Sequence, residues 1–400
     1  MKQIEGGVTA PLGFKAGGIA CGIKKSQKPD LALIVSEVPA FAAGIFTLNV
    51  VQAAPVILSK QQLRNDQARA IIANSGNANA CVGQGGIKAA EAMAEAAALF
   101  LGIGQDEVLV ASTGVIGVPL PVEKIETALA TKSNFLSALG SPDAARAIMT
   151  TDTFPKEVAV EVQLGGKTVR LGGIAKGSGM IHPNMATMLG FITTDATITP
   201  ELLKQALRRA GEVSFNRITV DGDTSTNDCL LILANGKAGN EPVRGEGEDY
   251  RLFLEALITI CQELAKRIAK DGEGATKLVE IRVTGAATEA EAVIIGKSIA
   301  TSNLVKTAIF GEDANWGRIL AAAGYSGIRF NPDLIDIYLG DLLVCRGGTG
   351  LEFDEERAKR ILEAKELLIT VQMGTGTAEA SVWTCDLSYD YVKINGSYRT

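Results

Sequence analysis

Apolar residues recur at helical spacing in several stretches of the chain, and each predicts an amphipathic helix. Residues 86–101 place Ile87, Ala94 and Leu101 on one face, and residues 200–211 follow the same pattern. The longest such stretch, 249–270, has a stripe of five large apolar residues: Phe253, Leu257, Ile260, Leu264 and Ile268. Further helices are expected from a Ser-Pro start at 141 to about 150, near 289–306, and from Asp354 to 365.

Short β-branched and apolar runs predict the strands. Residues 31–38 and 43–48 are expected as two strands joined by a turn at Pro39. Alternating runs on either side of Gly165-Gly166 give the strongest hairpin signal, and Gly340-Asp341 gives a second. Other strands are expected at 69–73, 108–111, 229–234 and 278–283, and strands continue to 394. The polar stretch 74–80 suits turns.

The stretch 176–195 contains His182, the only histidine of the chain. Glycines and Pro183 predict a loop over 177–184, whereas 187–193 reads as a buried strand. Thr187 therefore stands where a loop becomes a strand. A threonine hydroxyl is a weak nucleophile without a neighbouring base, and cleavage of the Ala186–Thr187 bond would free an α-amine able to act as that base. The alternative is a glycine-rich turn that merely feeds a core strand.

A second candidate position follows the strand at 108–111, where the chain continues Ser-Thr-Gly. Small residues after a strand let backbone amides approach a ligand, so Thr113 and Gly114 are a candidate oxyanion site. An ordinary strand-to-helix turn explains the same residues equally well.

Composition and charge narrow the class of protein. The chain has 400 residues and a net charge of −6, so it is long enough for two or more domains or one large layered unit. We expect a smaller α+β unit after a boundary near residue 275. No Lys/Arg run exceeds two residues, no signal sequence is apparent, and no apolar run is long enough to span a bilayer, so we expect a cytoplasmic protein without nucleic-acid partners. The six scattered cysteines are expected as buried apolar residues.

The residues of this chain argue against several common kinds of metal, nucleotide and hydrolase site. A single histidine excludes a multi-histidine metal site. The acidic stretch 221–232 resembles a calcium loop but has Thr226 and Ile232 where that loop needs Gly and Glu. Residues 272–277 are too short for a phosphate loop, and no dinucleotide fingerprint follows a strand. A hydrolase using Ser178 and His182 is a minor contender, because the serine does not lie in a G-x-S-x-G motif.

The stretch from Lys176 reads Lys-Gly-Ser-Gly-Met-Ile-His-Pro-Asn-Met-Ala-Thr-Met-Leu-Gly-Phe, and it is similar to the cleavage and nucleophile signature of the ornithine acetyltransferase (ArgJ) family. Further segments similar to that family are 6–11, 74–80, 112–117, 221–228, 310–318 and 395–400. The chain therefore resembles this family over nearly its whole length.

The resemblance implies a self-cleaving acetyltransferase. Cleavage before Thr187 would give an α chain, 1–186, and a β chain, 187–400, whose first residue carries the acetyl group from N2-acetyl-L-ornithine to L-glutamate. Thr113 and Gly114 would stabilise the oxyanion. The substrate-binding residues implied by the family are Thr150, Lys176, Thr187, Glu273, Asn395 and Thr400.

The same resemblance implies the fold and the assembly. The fold would be α/β, with αββα layers of the N-terminal-nucleophile type in 1–186 and 187–275, and a smaller α+β domain in 276–400. Two α and two β chains would assemble. No cofactor is implied, although acetyl-CoA is a possible second acetyl donor. Two alternatives stay open: a self-cleaving N-terminal-threonine aminopeptidase or amidase, and an amino-acid-binding paralogue that does not cleave.

Overall fold

The computed structural model describes residues 1–182 and 188–397. Its helices are α1 Ala54–Gln62, α2 Gln84–Leu101, α3 Val122–Thr131, α4 Ser141–Ala147, α5 Pro200–Glu212, α6 Glu248–Lys270, α7 Glu289–Thr301, α8 Asn303–Phe310, α9 Trp316–Gly324, α10 Glu355–Leu362 and α11 Tyr389–Ser397. Its strands are β1 Lys2–Ile4, β2 Phe14–Ile19, β3 Leu31–Phe46, β4 Gln67–Asn77, β5 Val108–Val115, β6 Lys156–Leu164, β7 Lys167–Lys176, β8 Leu189–Thr194, β9 Cys229–Ala234, β10 Leu278–Ala286, β11 Asp336–Leu339, β12 Leu342–Arg346, β13 Thr349–Gly350, β14 Glu366–Gln372 and β15 Ala378–Cys385.

One nine-stranded sheet forms the larger part of the molecule, in the order β1-β6-β7-β8-β9-β3-β4-β5 with β2 beside β3. The long strand β3 belongs to both halves of this sheet, because its first part pairs with β2 and β4 and its last part pairs with β9. Apolar side chains of the two halves meet in one core, for example Phe191 and Leu231 from one half with Ile34 and Leu109 from the other. The two halves are therefore stacked layers joined through β3.

Helices cover the outer face of each half-sheet. Helices α5 and α6 pack on β6–β9, and α1, α2 and α3 pack on the outer side of β3, β4 and β5. The order of layers is thus helix, sheet, sheet, helix, which confirms the predicted αββα layering. The predicted stripe of α6 is also confirmed, since all five of its large apolar residues are fully buried.

A six-stranded sheet, ordered β13-β12-β11-β14-β10-β15, forms the core of the chain after Leu278. The hairpin at Gly340-Asp341 is confirmed between β11 and β12. Asp354 caps α10 as predicted, because its Oδ1 accepts the backbone N–H of Arg357 at 3.0 Å. Trp383 and Cys385 of β15 reach into the core beneath α6, so the two sheets share packed side chains.

Three predictions of secondary structure are wrong. Pro39 does not end a strand: β3 runs through it, and a shift of register against β4 between Val35 and Ala40 absorbs the missing N–H. The helix expected at 289–306 breaks at Ser302, whose hydroxyl accepts the N–H of Val305 and starts α8. Residues 389–394 lie in α11 instead of a strand.

Two further boundaries differ from the prediction. Strands β4 and β5 continue through Asn77 and Val115, so the polar residues at 74–77 and the Ser-Thr-Gly segment belong to strands rather than turns. Helix α4 ends at Ala147, before the expected end near 150. Within 1–182 and 188–397, no single helix is long and apolar enough to cross a membrane, although the bent pair α7 and α8 reaches that length together.

Candidate active site

A cleft of about 230 Å³ opens where the ends of β5 and β7, the loop before β9, the end of α6 and helix α11 converge. Six of the residues predicted from the family resemblance line it: Thr113, Gly114, Thr150, Lys176, Glu273 and Asn395. The other predicted site residues, Ala186, Thr187 and Thr400, lie outside the described residues. The structure therefore brings together predicted residues from distant parts of the sequence.

Lys176 is the last residue of β7 and points its ammonium into the cleft. Its Nζ donates to Thr150 Oγ1 at 2.8 Å and to Thr113 Oγ1 at 3.4 Å, and it lies 3.9 Å from Asp152 Oδ2. The side chain is 9% exposed, so little water screens the charge. Lys176 is thus held in place by hydroxyl groups and is available to an anionic group of a ligand.

A buried network supports Lys176 from below. Asp152 Oδ1 accepts the N–H of Gly177 at 2.7 Å and an N–H of Lys156 at 2.8 Å. Lys156 also donates to Asp271 Oδ2 at 2.5 Å. Burial by itself would raise the pKa of Asp152, but the ammonium groups of Lys176 and Lys156 outweigh it and lower that pKa to about 2. Asp152 is therefore a permanent carboxylate in the folded protein at neutral pH.

Thr113 and Gly114 lie near the end of β5, beside β4. Gly114 has φ +133°, a conformation that favours glycine. A Cβ atom on Gly114 would lie 2.4 Å from the carbonyl carbon of Gly76 in β4. The close backbone approach of the two strands therefore requires glycine here, and the backbone at Thr113–Gly114 forms one wall of the cleft.

Glu273 follows α6 and lines the cleft. Its backbone N–H donates to the carbonyl of Ser178 at 3.1 Å, and Asn395 of α11 donates to its Oε2 at 2.8 Å. A Cβ on Gly179 would lie 2.4 Å from the Glu273 carboxyl group, so the glycine-rich loop lets this carboxylate approach closely. The cleft thus contains the carboxylate of Glu273 as well as the ammonium of Lys176.

The loop ending at residue 182 is clamped by the chain ahead of β9. Asp221 accepts the N–H groups of Met180 and Ile181 at 2.6 and 2.9 Å. His182 Nδ1 lies 3.0 Å from Thr219 Oγ1, and burial, aided by Lys297, lowers the pKa of His182 to about 4. The imidazole is therefore neutral at physiological pH, and it does not line the cleft. The contact with Thr219 instead makes His182 part of the structure of this loop.

Sequence reasoning missed the acidic stretch 221–228 as part of the site. Asp221, Asp223, Asn227 and Asp228 all line the cleft. Asn227 is an anchor, because its Nδ2 donates to Ala78 O at 2.6 Å and to Ser112 O at 2.8 Å. Two signals were available: a run of polar residues directly before the apolar strand β9, and the similarity of 221–228 to the family, from which no site residue was taken.

Asp228 is the most deeply buried of these acids, with 3% of its surface exposed. The hydroxyl of Ser225 bonds to its carboxyl group, and its Oδ2 has no hydrogen-bond partner among the described residues. Burial raises the pKa of Asp228 well above its ordinary value, opposed by the Ser225 hydroxyl and the Lys176 ammonium. Within 1–182 and 188–397, no three His, Cys, Asp or Glu side chains are grouped to hold a metal ion.

The layered fold and a cleft lined by both acidic and basic side chains define an α/β enzyme suited to a small charged substrate. The family model of the ArgJ family matches residues 15–400. The chain belongs to the ArgJ family.

Individual relatives agree with this assignment. The arginine biosynthesis bifunctional protein ArgJ of Symbiobacterium thermophilum is 54% identical over 402 residues, which cover 100% of both chains. The protein of the same name from Bacillus subtilis is 48% identical over 399 residues, covering 100% of this chain and 98% of the relative. The structure is also similar to the crystal structure of the arginine biosynthesis bifunctional protein ArgJ from Bacillus halodurans, with a TM-score of 0.52 and 49% sequence identity. The match covers 53% of this chain and 100% of that chain.

Proposed function

We propose that this enzyme transfers the acetyl group of N2-acetyl-L-ornithine to L-glutamate, through an acetyl ester on Thr187 that forms after self-cleavage at Ala186–Thr187. Membership of the ArgJ family and relatives named for arginine biosynthesis support acetyl transfer between amino acids. The observation that carries the proposal is the shared cleft of Thr113, Gly114, Thr150, Lys176, Glu273 and Asn395.

The charges of the cleft suit an acetylated amino acid with an ammonium side chain. Lys176, held between two threonine hydroxyls, would pair with the substrate carboxylate. Glu273, buried and oriented by Asn395, would pair with an ammonium group. Such charge-assisted bonds would hold the substrate between Lys176 and Glu273. Its acetyl group would then face the wall at Thr113 and Gly114.

The chemistry needs an oxyanion site twice, once for each half of the transfer. Attack of the threonine oxygen on the acetyl carbonyl gives a tetrahedral oxyanion, and attack of glutamate on the acetyl-threonine gives another. Donors at Thr113 and Gly114 would stabilise both intermediates. Loss of one such donor typically lowers turnover about a hundredfold to a thousandfold.

The chain on both sides of the proposed cleavage point is anchored to the same downstream segment. Asp221 fixes Met180 and Ile181 on the upstream side. On the downstream side, Cys229 donates its N–H to the carbonyl of Met188 at 3.0 Å. Fixed flanks of this kind favour an intramolecular attack, because they limit the conformations that the intervening peptide can adopt.

Two measurements test this function. A denaturing gel of purified protein should resolve fragments of 186 and 214 residues, and Thr187→Ala should leave one band of 400 residues. Incubation with N2-acetyl-L-ornithine should give N-acetylglutamate only when glutamate is present. Acetate release undiminished by glutamate would instead identify an amidase, and an uncleaved wild-type chain would identify a non-cleaving paralogue.

Other features of the proposal come from the family resemblance. They are an α2β2 assembly, a cytoplasmic location, and division into 1–186, 187–275 and 276–400. Acetyl-CoA is a possible additional donor, and an assay with acetyl-CoA as the sole donor tests it directly.

A further inference from the structure

Asp152 fixes the backbone next to two of the proposed substrate-binding residues. Its Oδ2 accepts the N–H of Thr150 at 3.0 Å, and its Oδ1 accepts the N–H of Gly177, the residue after Lys176, at 2.7 Å. The side chain of Asp152 is fully buried. These two bonds join the segment after α4 to the end of β7, so a single carboxylate sets the position of Thr150 relative to Lys176.

The ammonium of Lys176 is compensated by Asp152 and still has a donor to offer. Its Nζ lies 3.9 Å from Asp152 Oδ2, which is too long for a hydrogen bond. Within the described residues, Lys176 directs two of its three N–H donors to the hydroxyls of Thr150 and Thr113, so the third is left for a ligand. The Thr150 hydroxyl accepts from Lys176 and keeps its own O–H to donate. Lys176 and Thr150 therefore form a pair of donors suited to a carboxylate.

Lys156 keeps Asp152 in the ionised form that this arrangement needs. Its Nζ lies 2.8 Å from Asp152 Oδ1, and neither side chain is exposed to solvent. Burial alone would raise the pKa of Asp152, but the ammonium groups of Lys176 and Lys156 outweigh it and lower that pKa. Both carboxylate oxygens therefore remain acceptors for the two backbone N–H groups at neutral pH.

We propose that Asp152 is the positioning residue of the donor pair Lys176 and Thr150, and that it sets the preference of the enzyme for acetyl donors with a carboxylate. The inference rests on the proposed function, since N2-acetyl-L-ornithine carries its carboxylate on the carbon bonded to the acetylated nitrogen. Holding that carboxylate against the donor pair places the neighbouring acetyl group. Asp152 acts through Lys176 and Thr150 and does not itself bind the substrate.

The test compares two acetyl donors that differ only in this carboxylate. N-acetylputrescine is N2-acetyl-L-ornithine without the carboxylate, and it keeps the acetylated nitrogen and the terminal ammonium. In the wild type, kcat/KM should be roughly tenfold to a hundredfold higher for N2-acetyl-L-ornithine, because only this donor can bond to Lys176 and Thr150 through a carboxylate. We call this ratio the carboxylate preference.

Asp152→Asn should reduce the carboxylate preference by at least about fivefold. The amide group places N–H donors where Asp152 accepts from the backbone or from Lys156, so the donor pair should lose its alignment. The comparison is a double-mutant cycle between Asp152 and the carboxylate of the substrate. A general loss of stability or turnover affects both acetyl donors alike and cancels in the ratio.

Matched variants separate positioning from the loss of a buried ion pair. Asp271 is the other carboxylate bound to Lys156, and its side chain is 3% exposed. Asp271→Asn should therefore lower stability and keep the carboxylate preference of the wild type. Asp152→Glu keeps the charge, but its longer side chain displaces the oxygens from the two backbone N–H groups. It should lose the preference as Asp152→Asn does, and it provides the test if Asp152→Asn does not fold.

The outcomes distinguish this inference from the proposed function. A folded Asp152→Asn or Asp152→Glu enzyme with the carboxylate preference of the wild type would overturn the inference, and so would an equal loss of preference in Asp271→Asn. A wild type that uses both donors equally well would also overturn it, while leaving acetyl transfer to glutamate intact. A wild type that transfers acetyl groups from neither donor would overturn the proposed function itself.

Discussion

The ammonium of Lys156 lies 2.5 Å from Oδ2 of Asp271, and both side chains are buried. The same ammonium lies 2.8 Å from Asp152, so one lysine compensates two carboxylates, one beside Lys176 and one just ahead of Glu273. The ammonium of Lys156 therefore links Asp152 and Asp271 through two buried ion pairs.

Replacing that cation should destabilise the protein strongly. Lys156→Met leaves buried Asp271 without this ammonium and leaves Asp152 only the more distant Lys176 at 3.9 Å, and breaking such a buried pair typically costs about 3–5 kcal/mol. The urea midpoint of unfolding measures the loss. Lys270→Met is the control, because Lys270 pairs with Glu366 at 2.8 Å with both side chains about half exposed, and such pairs contribute under about 1 kcal/mol. Equal losses in the two variants would contradict the role of the buried network.

Stability should depend on pH through Asp152 in acid. Its pKa is lowered from 3.8 to about 2 on folding, so its stabilising contribution is present above pH 3.8 and is lost as the pH falls toward 2. The shift corresponds to about 2 kcal/mol. Unfolding of wild type and Asp152→Asn should be compared at pH 4.5 and pH 2.5. The free energy of unfolding of the wild type should fall more between these two pH values than that of Asp152→Asn. An equal decrease in both proteins would exclude this contribution of Asp152.

His182 should affect stability but not the pH profile of catalysis. Its pKa is lowered from 6.5 to about 4, so the neutral imidazole stabilises the fold above pH 6.5, and this contribution is lost as the pH falls toward 4. The melting temperature of His182→Asn should therefore depend less on pH over this range than that of the wild type. Acetyl transfer between pH 6 and 8 should keep the same profile in both proteins, and a shifted limb would assign the imidazole a catalytic role.

Gly114→Ala should distort the proposed oxyanion wall. The added Cβ would lie 2.4 Å from backbone in β4, at a φ that L side chains rarely adopt, so β5 must move. We expect turnover to fall at least about a hundredfold. Gly85→Ala is the control, because nothing lies within 4 Å of a Cβ at that exposed position in α2. Normal turnover of Gly114→Ala would show that the backbone at Thr113 and Gly114 does not stabilise the oxyanion.

Glu273→Gln tests the proposed ammonium-binding group of the cleft. A hydrogen bond to a charged group contributes about 1.5–3 kcal/mol, so KM for N2-acetyl-L-ornithine should rise roughly tenfold to a hundredfold. Glu366→Gln, which changes an exposed glutamate outside the cleft, should leave KM unchanged. If both variants keep the wild-type KM, the ammonium of the substrate binds elsewhere.

Elements with strong periodicity were predictable from the sequence. The buried stripe of α6 and the turn at Gly165-Gly166 each carry a signal within the element itself, and the structure agrees with both. The sequence signal failed where tertiary contacts override local preference. Pro39 favours a turn, yet the pairing of β3 with β4 on one side and β9 on the other holds the strand together across it.

The site was predictable only in part, and for a different reason. Lys176 and Glu273 have no local pattern that marks them as binding residues, and the family resemblance alone singled them out. Helix α11, which brings Asn395 to Glu273, has no buried residues, so it lacks the apolar stripe that identifies a helix. Asp221, Asp223 and Asp228 were missed because tertiary contacts bring them to the cleft, and no spacing within 221–228 expresses that position.

The order of strands implies that the two products of the proposed cleavage stay interleaved in one sheet. Strands β8 and β9, which follow the cleavage point, lie between β7 and β3, which precede it. Each product therefore supplies inner strands of the other's sheet, and neither has a complete set of backbone partners alone. If residues 1–186 and 187–400 were encoded by separate genes, the two polypeptides would have to be produced together, because neither could complete its sheet without the other.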